Sequence, residues 1–185
     1  MLIAVLLFLA IVSVPLAGGR LSRLADLQIR LGAWALGALA LQVLIISVLP
    51  AGSHDLHVAI HIASYAIVAV VLAANIRLPH VWLLAVGGAM NLLAIAANGG
   101  VMPASAAALQ AAGRVPAPGQ FVNSAVHDHP HISFLGDVFA VPAQVPLANV
   151  FSVGDVCLVA GAFLFLHAAG ASALAWRTTS RLGVA

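Results

Sequence analysis

The chain has 185 residues, of which 63% are hydrophobic and 6% charged, against about 45–50% and about 25% in an ordinary soluble domain. Seven arginines and five aspartates, with no lysine or glutamate, leave a formal charge of +2; no cations cluster in the way phosphate recognition needs, so nucleic-acid binding is disfavoured. The single cysteine, Cys157, rules out an internal disulfide and a cysteine-based zinc cluster.

The composition predicts an all-α, polytopic membrane helical bundle forming one integral membrane domain over 1–185, with the lipid bilayer as its first partner. Residues 1–17 are almost wholly apolar. They lack a cationic start, and Pro15-Leu16-Ala17 is a poor cleavage site, so they read as a retained first span rather than a signal peptide. From Gly18 to Arg30, arginines and Asp26 alternate with leucines, which suits a turn and an interfacial stretch. Further spans are expected over 31–49, stopped by Pro50-Ala51-Gly52, over 55–75, just before Arg77, and over 79–98, with Trp82 at interface depth. The fifth and last is expected over 152–176, ending in Arg177 and Arg181. Between them, 99–151 is broken by six prolines and is expected to be a structured outer loop. Ala104 to Ala112 reads as a short helix stopped at Gly113, and Arg114 to Gly119 as a proline-rich joint. Ile132 to Phe151 is apolar but carries Pro142 and Pro146. It is expected to fold back into the outer leaflet, with its free backbone groups buried in protein or facing a watery cavity.

Orientation follows from arginine, which is retained on cytoplasmic flanks. Five spans with the N-terminus outside and the C-terminus in the cytoplasm put Arg20, Arg23, Arg30, Arg77, Arg177 and Arg181 inside and leave Arg114 alone outside. Asp55, Asp128, Asp137 and Asp155 then gather on the outer side with His54, His57, His127, His129 and His131. Gly87, Asn91, Ala94 and Asn98 share one face of the fourth span, a stripe suited to close helix contact. Ala33, Gly37 and Ala40 do the same on the second.

The candidate site is the outer rim formed by Asn98-Gly99-Gly100, Asp137, and Phe151-Ser152 with Asp155. An acid near a membrane surface loses hydration, and a second carboxylate beside it raises one of the pair further, so two such acids can share a proton and activate water. In a catalytic reading Asp137 and Asp155 divide the acid and base roles, while Asn98 positions substrate. In a structural reading Asp155 caps its helix, Asp137 makes a turn after Gly136, and the three polar residues pin the loop over the helices. A third reading makes His127, His129 and His131 of the loop, with His57 and His61 one turn apart on the third span, ligands of a metal. No known metal-motif spacing supports it, and no cofactor is predicted. His167 and His80 are expected to be packed or interfacial.

Asn98-Gly99-Gly100-Val101-Met102-Pro103, Leu135-Gly136-Asp137 and Phe151-Ser152-Val153-Gly154-Asp155 resemble the signature blocks of a bacterial multipass membrane family, domain of unknown function 5317. The resemblance covers most of the chain and implies a bacterial inner-membrane location without implying an activity. A more distant likeness is to signal peptidase II, an aspartic peptidase of the bacterial membrane. Asn98 and Gly100 match its Asn-x-Gly block, and Phe151 and Asp155 match its Phe-Asn-x-Ala-Asp block, with Ser152 and Gly154 as departures. That likeness implies intramembrane hydrolysis by Asp137 and Asp155. No arginine follows Asp137, however, and the stretch from Gly99 to Gly136 cannot supply the two spans found there in the peptidase.

Overall fold

A computed structural model describes residues 2–44, 48, 53–114 and 124–175. The expected stop at Pro50-Ala51-Gly52, most of the proline-rich joint, and Trp176 with Arg177 and Arg181 lie outside the described residues.

The chain is mostly helical. Its elements are α1 (Leu2–Leu16), α2 (Gly32–Val43), α3 (His54–Ala74), α4 (Val81–Ala97), the short α5 (Ala106–Ala111) and α6 (Val153–Ala169). Four short strands accompany them: β1 (Met102–Pro103), β2 (Ser124–Ala125), β3 (Phe139–Val141) and β4 (Asn149–Phe151). Helices α4 and α6 make the most intimate pair; α3 lies on α4, α2 on α3, and α1 on α6. Among the described residues one helix, Asp55–Ala74 with 20 residues, is long and apolar enough to cross a membrane. Four others, Leu2–Leu16, Gly32–Val43, Val81–Ala97 and Val153–Ala169, are shorter but apolar.

Glycine sets the closeness of α4 and α6. A Cβ on Gly154 would lie 1.9 Å from Asn91 Oδ1, and one on Gly87 would lie 2.6 Å from the Gly154 carbonyl. Backbones can approach this closely only where no side chain intervenes. The last helix stops at Ala169 rather than running to Trp176, although the sequence stays apolar. Ala171 takes φ 49°, and the turn bonds back to the end of α1 through Arg20 N–H to Gly170 O at 2.9 Å and Ala173 N–H to Ala17 O at 2.9 Å.

The expected outer loop is a small folded cap containing strands that the all-helical reading did not include. Strand β1 pairs parallel with β2, β3 pairs antiparallel with β4, and Ala104 bridges to Asp137. As expected, the alanine-rich stretch forms a short helix, with Gly113 beyond it at φ 63°. Ser105 caps that helix by accepting from the Ala108 N–H.

Burial is inverted relative to a water-soluble core. The buried apolar residues are mostly Ala and Val, whereas His57, His61, Ser64, Asn75, Asn91, Ser152 and His167 are also buried. Outside, Leu16 is 82% exposed, Leu36 70% and Trp34 62%.

Candidate functional site

Asp155 stands in the first turn of α6, where the helix dipole favours negative charge. The N-cap itself is Ser152: its Oγ accepts from the Asp155 N–H at 3.0 Å, and Asp155 Oδ2 accepts from the Ser152 N–H at 3.0 Å. This reciprocal capping box satisfies two backbone donors at once. Asn91 of α4 ties the box to the neighbouring helix. Its Nδ2 donates to Asp155 Oδ1 at 2.9 Å, and its Oδ1 accepts from the fully buried Ser152 hydroxyl at 2.9 Å. Asn91 is therefore part of the site as well as of the packing stripe that its spacing suggested.

Asp137 lies in the cap and is 4% exposed. Its backbone locks it between strands: its N–H donates to Pro103 O at 2.9 Å, and its carbonyl accepts from the Ser105 N–H at 3.0 Å. Gly136 makes this possible, because a Cβ there would sit 2.1 Å from Pro103 O. The Ser124 hydroxyl donates to Asp137 Oδ2. Burial pushes the Asp137 carboxyl up from 3.8 to about 6; the Ser124 hydrogen bond opposes that rise, and the negative field of Asp155 adds to it. The two acids thus lie within electrostatic reach of each other.

Tyr65 of α3 belongs to the same centre. It packs against Ala94, Ile95 and Met102, the fields of Asp155 and Asp137 both reach it, and its ring meets that of His61 edge-on with centroids 5.3 Å apart. No sequence signal marked Tyr65 or Ser124, since each reaches the acids from an element distant in the chain.

Asn98 works as a clamp. Its Oδ1 accepts from the His131 N–H at 2.8 Å, while Nδ2 donates to His131 O at 2.9 Å and to Ala94 O at 2.7 Å. These bonds hold the cap to the end of α4 and direct the amide at backbone. Gly99 and Gly100 form the turn that follows, at φ 68° and 89°, and Gly100 O accepts from His61 Nδ1 at 3.1 Å. His57 Nδ1 donates to Ser53 O at 2.8 Å. In the cap, His129 and His131 are exposed and His127 is half-buried. Among the described residues no three His, Cys, Asp or Glu side chains gather as a metal ion would require.

A second polar chain lies at the other end of α6. Leu174 N–H donates to Ser172 Oγ at 3.2 Å, Ser172 Oγ meets His167 Nδ1 at 2.6 Å, and His167 Nε2 meets Ser13 Oγ at 2.9 Å. The Ser13 hydroxyl donates to Ala10 O at 2.8 Å, so the Ser13 oxygen must accept from His167 Nε2–H, and Nδ1 must accept from Ser172. The ring is a fully committed link between α1 and α6. Near this end too, Asn75 exchanges bonds with the Arg30 backbone at 2.8 Å each way. Arginines 20, 23, 30 and 77 therefore neighbour one end of the bundle, and Asp137 and Asp155 the other.

Comparison with known proteins adds a family without an activity. A family model described as a family of unknown function, DUF5317, matches residues 26–167. No curated protein matches the chain, and no solved structure does.

Proposed function

The chain belongs to the DUF5317 family, whose function is unassigned, and on that premise we propose that it is a multispan protein of the bacterial inner membrane working at the non-cytosolic face. The supporting observation is the inverted burial: leucine, phenylalanine and tryptophan face outward, while histidine, asparagine and serine are hydrogen-bonded inside. Water would penalise such a surface, whereas lipid removes that penalty and makes interior polar bonds the means of helix association. Helices shorter than a full span reach the interfaces by local thinning of the bilayer and by their flanking turns. The grouping of Arg20, Arg23, Arg30 and Arg77 at one end, with Asp26 among them, against Arg114 alone on the cap supports an orientation with the cap outside.

In this reading the Asn91–Ser152–Asp155 centre and the Asn98 clamp hold the cap in register over the helices. Asp155 spends one bond on a backbone amide and one on Asn91, as a structural acid does. The test is membrane extraction with alkaline carbonate, followed by cysteine labelling of intact cells in a Cys157→Ser background. The protein should stay in the membrane fraction, with a cysteine at His129 labelled and one at Arg77 protected. Release by carbonate, or the reverse labelling, overturns the proposal.

A second reading, an intramembrane acid hydrolase, is favoured by one observation: Asp137 is buried in the cap, where burial first and the field of Asp155 second push its carboxyl up to about 6, as a proton-sharing carboxyl pair needs. Under it, Asp155→Asn keeps the fold and abolishes cleavage of a membrane-anchored peptide. Unchanged cleavage in that variant excludes the pair as the catalyst.

A further inference from the structure

Strands β3 and β4 form a two-stranded ribbon whose faces have different surroundings. The register pairs Ala140 with Val150 and Phe139 with Phe151, and alternation along a strand sends these pairs to opposite sides. Ala104, Ala108, Leu109 and Ala112 of the cap cover the Ala140–Val150 side. On the other side Phe139 stacks on Phe151 with ring centroids 5.4 Å apart, yet stays 44% exposed. The connection between the strands is open too, with Val145 48% and Leu147 37% exposed.

We propose that this ribbon is immersed in the outer leaflet, with its Phe139–Phe151 face and its Val145–Leu147 tip among the acyl chains just below the lipid phosphates. Continuity with the helix surfaces identifies what covers it. Val141 and Phe151 line one groove together with Leu2 and Leu6 of α1 and Val156 and Phe163 of α6, and Val156 is 50% exposed. The medium that bathes the outward side of those helices therefore also bathes the ribbon. Charge points the same way. From Ile132 to Gly154 the one ionisable side chain is Asp137, which is buried, whereas Asp128, His129 and His131 just before this stretch are exposed. A ribbon edge that meets water is ordinarily guarded by charge; an uncharged apolar surface beside a polar one divides instead across the headgroup boundary. Arg114 marks that boundary. It is exposed, and its Nη2 donates to Ala148 O at 2.9 Å beside the tip; this bond uses one of the five guanidinium donors, and the group suits a lipid phosphate. Backbone groups at the ribbon edge need water or headgroups nearby, which keeps the ribbon shallow. The proposal rests on the membrane reading and adds to it a contact surface and a depth.

The experiment uses the full chain with Cys157→Ser in phospholipid vesicles, carrying one nitroxide at a time on Val145→Cys, Leu147→Cys, His129→Cys or Leu36→Cys. Collision with oxygen, which concentrates in lipid, and with a water-soluble nickel chelate reports the surroundings of each label. The oxygen-to-nickel ratio at Val145 and Leu147 should exceed that at His129 by at least about fivefold and approach that at Leu36, the exposed reference on α2. Nickel-dominated collision at both tip positions, with Leu36 still oxygen-dominated, overturns the proposal and leaves the membrane reading standing. Weak collision with both reagents, with or without dipolar broadening from a second copy's label, means that protein covers the tip, and it overturns the proposal as well. Failure of the membrane reading shows separately, as nickel-dominated collision at Leu36, and takes the proposal with it.

Discussion

Replacing Asp137 with asparagine should stabilise the cap increasingly from about pH 4 to about pH 6 and fully above that, and leave it unchanged in stronger acid. The folded carboxyl keeps its proton up to about 6, whereas the unfolded one releases it near 3.8. Between those values the folded state binds more protons, so stability is full below the lower value and is lost as pH rises through the window. About two pH units at about 1.4 kcal/mol each give roughly 3 kcal/mol for the ionised wild type at neutral pH. Asparagine has the shape of the protonated acid, can still accept from Ser124, and leaves the backbone bonds to Pro103 and Ser105 in place. The variant should therefore gain stability of that order near neutrality. Hydrogen exchange over residues 101–141, followed from about pH 4 to about pH 7 in both proteins, measures it. The difference between wild type and variant carries the result. Parallel pH profiles for the two proteins would refute the claim that the buried Asp137 carboxyl sets the slope.

Gly154→Ala should destabilise the bundle by about 3 kcal/mol or more, since its methyl group would overlap Asn91 Oδ1. Gly88→Ala, whose Cβ would meet only Leu72 Cδ1 at 3.6 Å, should be neutral or stabilising by up to about 1 kcal/mol; thermal unfolding in detergent separates them. Ser152→Ala removes both the cap acceptor and the donor to Asn91, and should cost about 2 kcal/mol in the same assay. Asn98→Ala should leave the helices folded while exchange at the His131 amide rises at least about tenfold, because two bonds to that residue's backbone are lost.

The helices were legible because their signals are local: long apolar stretches, a stripe of small residues on α4, and an acid at the start of α6. The stripe did not reveal its partner, since Gly154 and Gly161 gain their meaning only when α6 is laid against Gly87 and Leu84. Asp155 was readable as a capping residue, but it acts from the third helical position while Ser152 takes the N-cap. The strands are two or three residues long, too short for alternation to register, and proline sits in one of them. Asp137 was read as a turn residue beside a glycine, whereas the bend is at Gly136 and Asp137 itself is bridged to Ala104. Its burial depends on Ser124, whose approach is set by tertiary folding rather than by spacing. The end of α6 was placed too late because hydrophobicity continues beyond Ala169, whereas the backbone turns there to meet α1.

The attachment of α1 is lopsided. Among the described residues its polar ties, through Ser13 to His167 and through the Ala17 and Arg20 backbones to the turn after α6, fall in its last part or just beyond it, while Leu2 to Leu9 carry only apolar side chains. A rod bolted at its foot and held along its upper length by hydrocarbon alone is gripped with unequal strength at its two ends. Amide exchange should accordingly run faster from Leu6 to Leu9 than from Ser13 to Ala17.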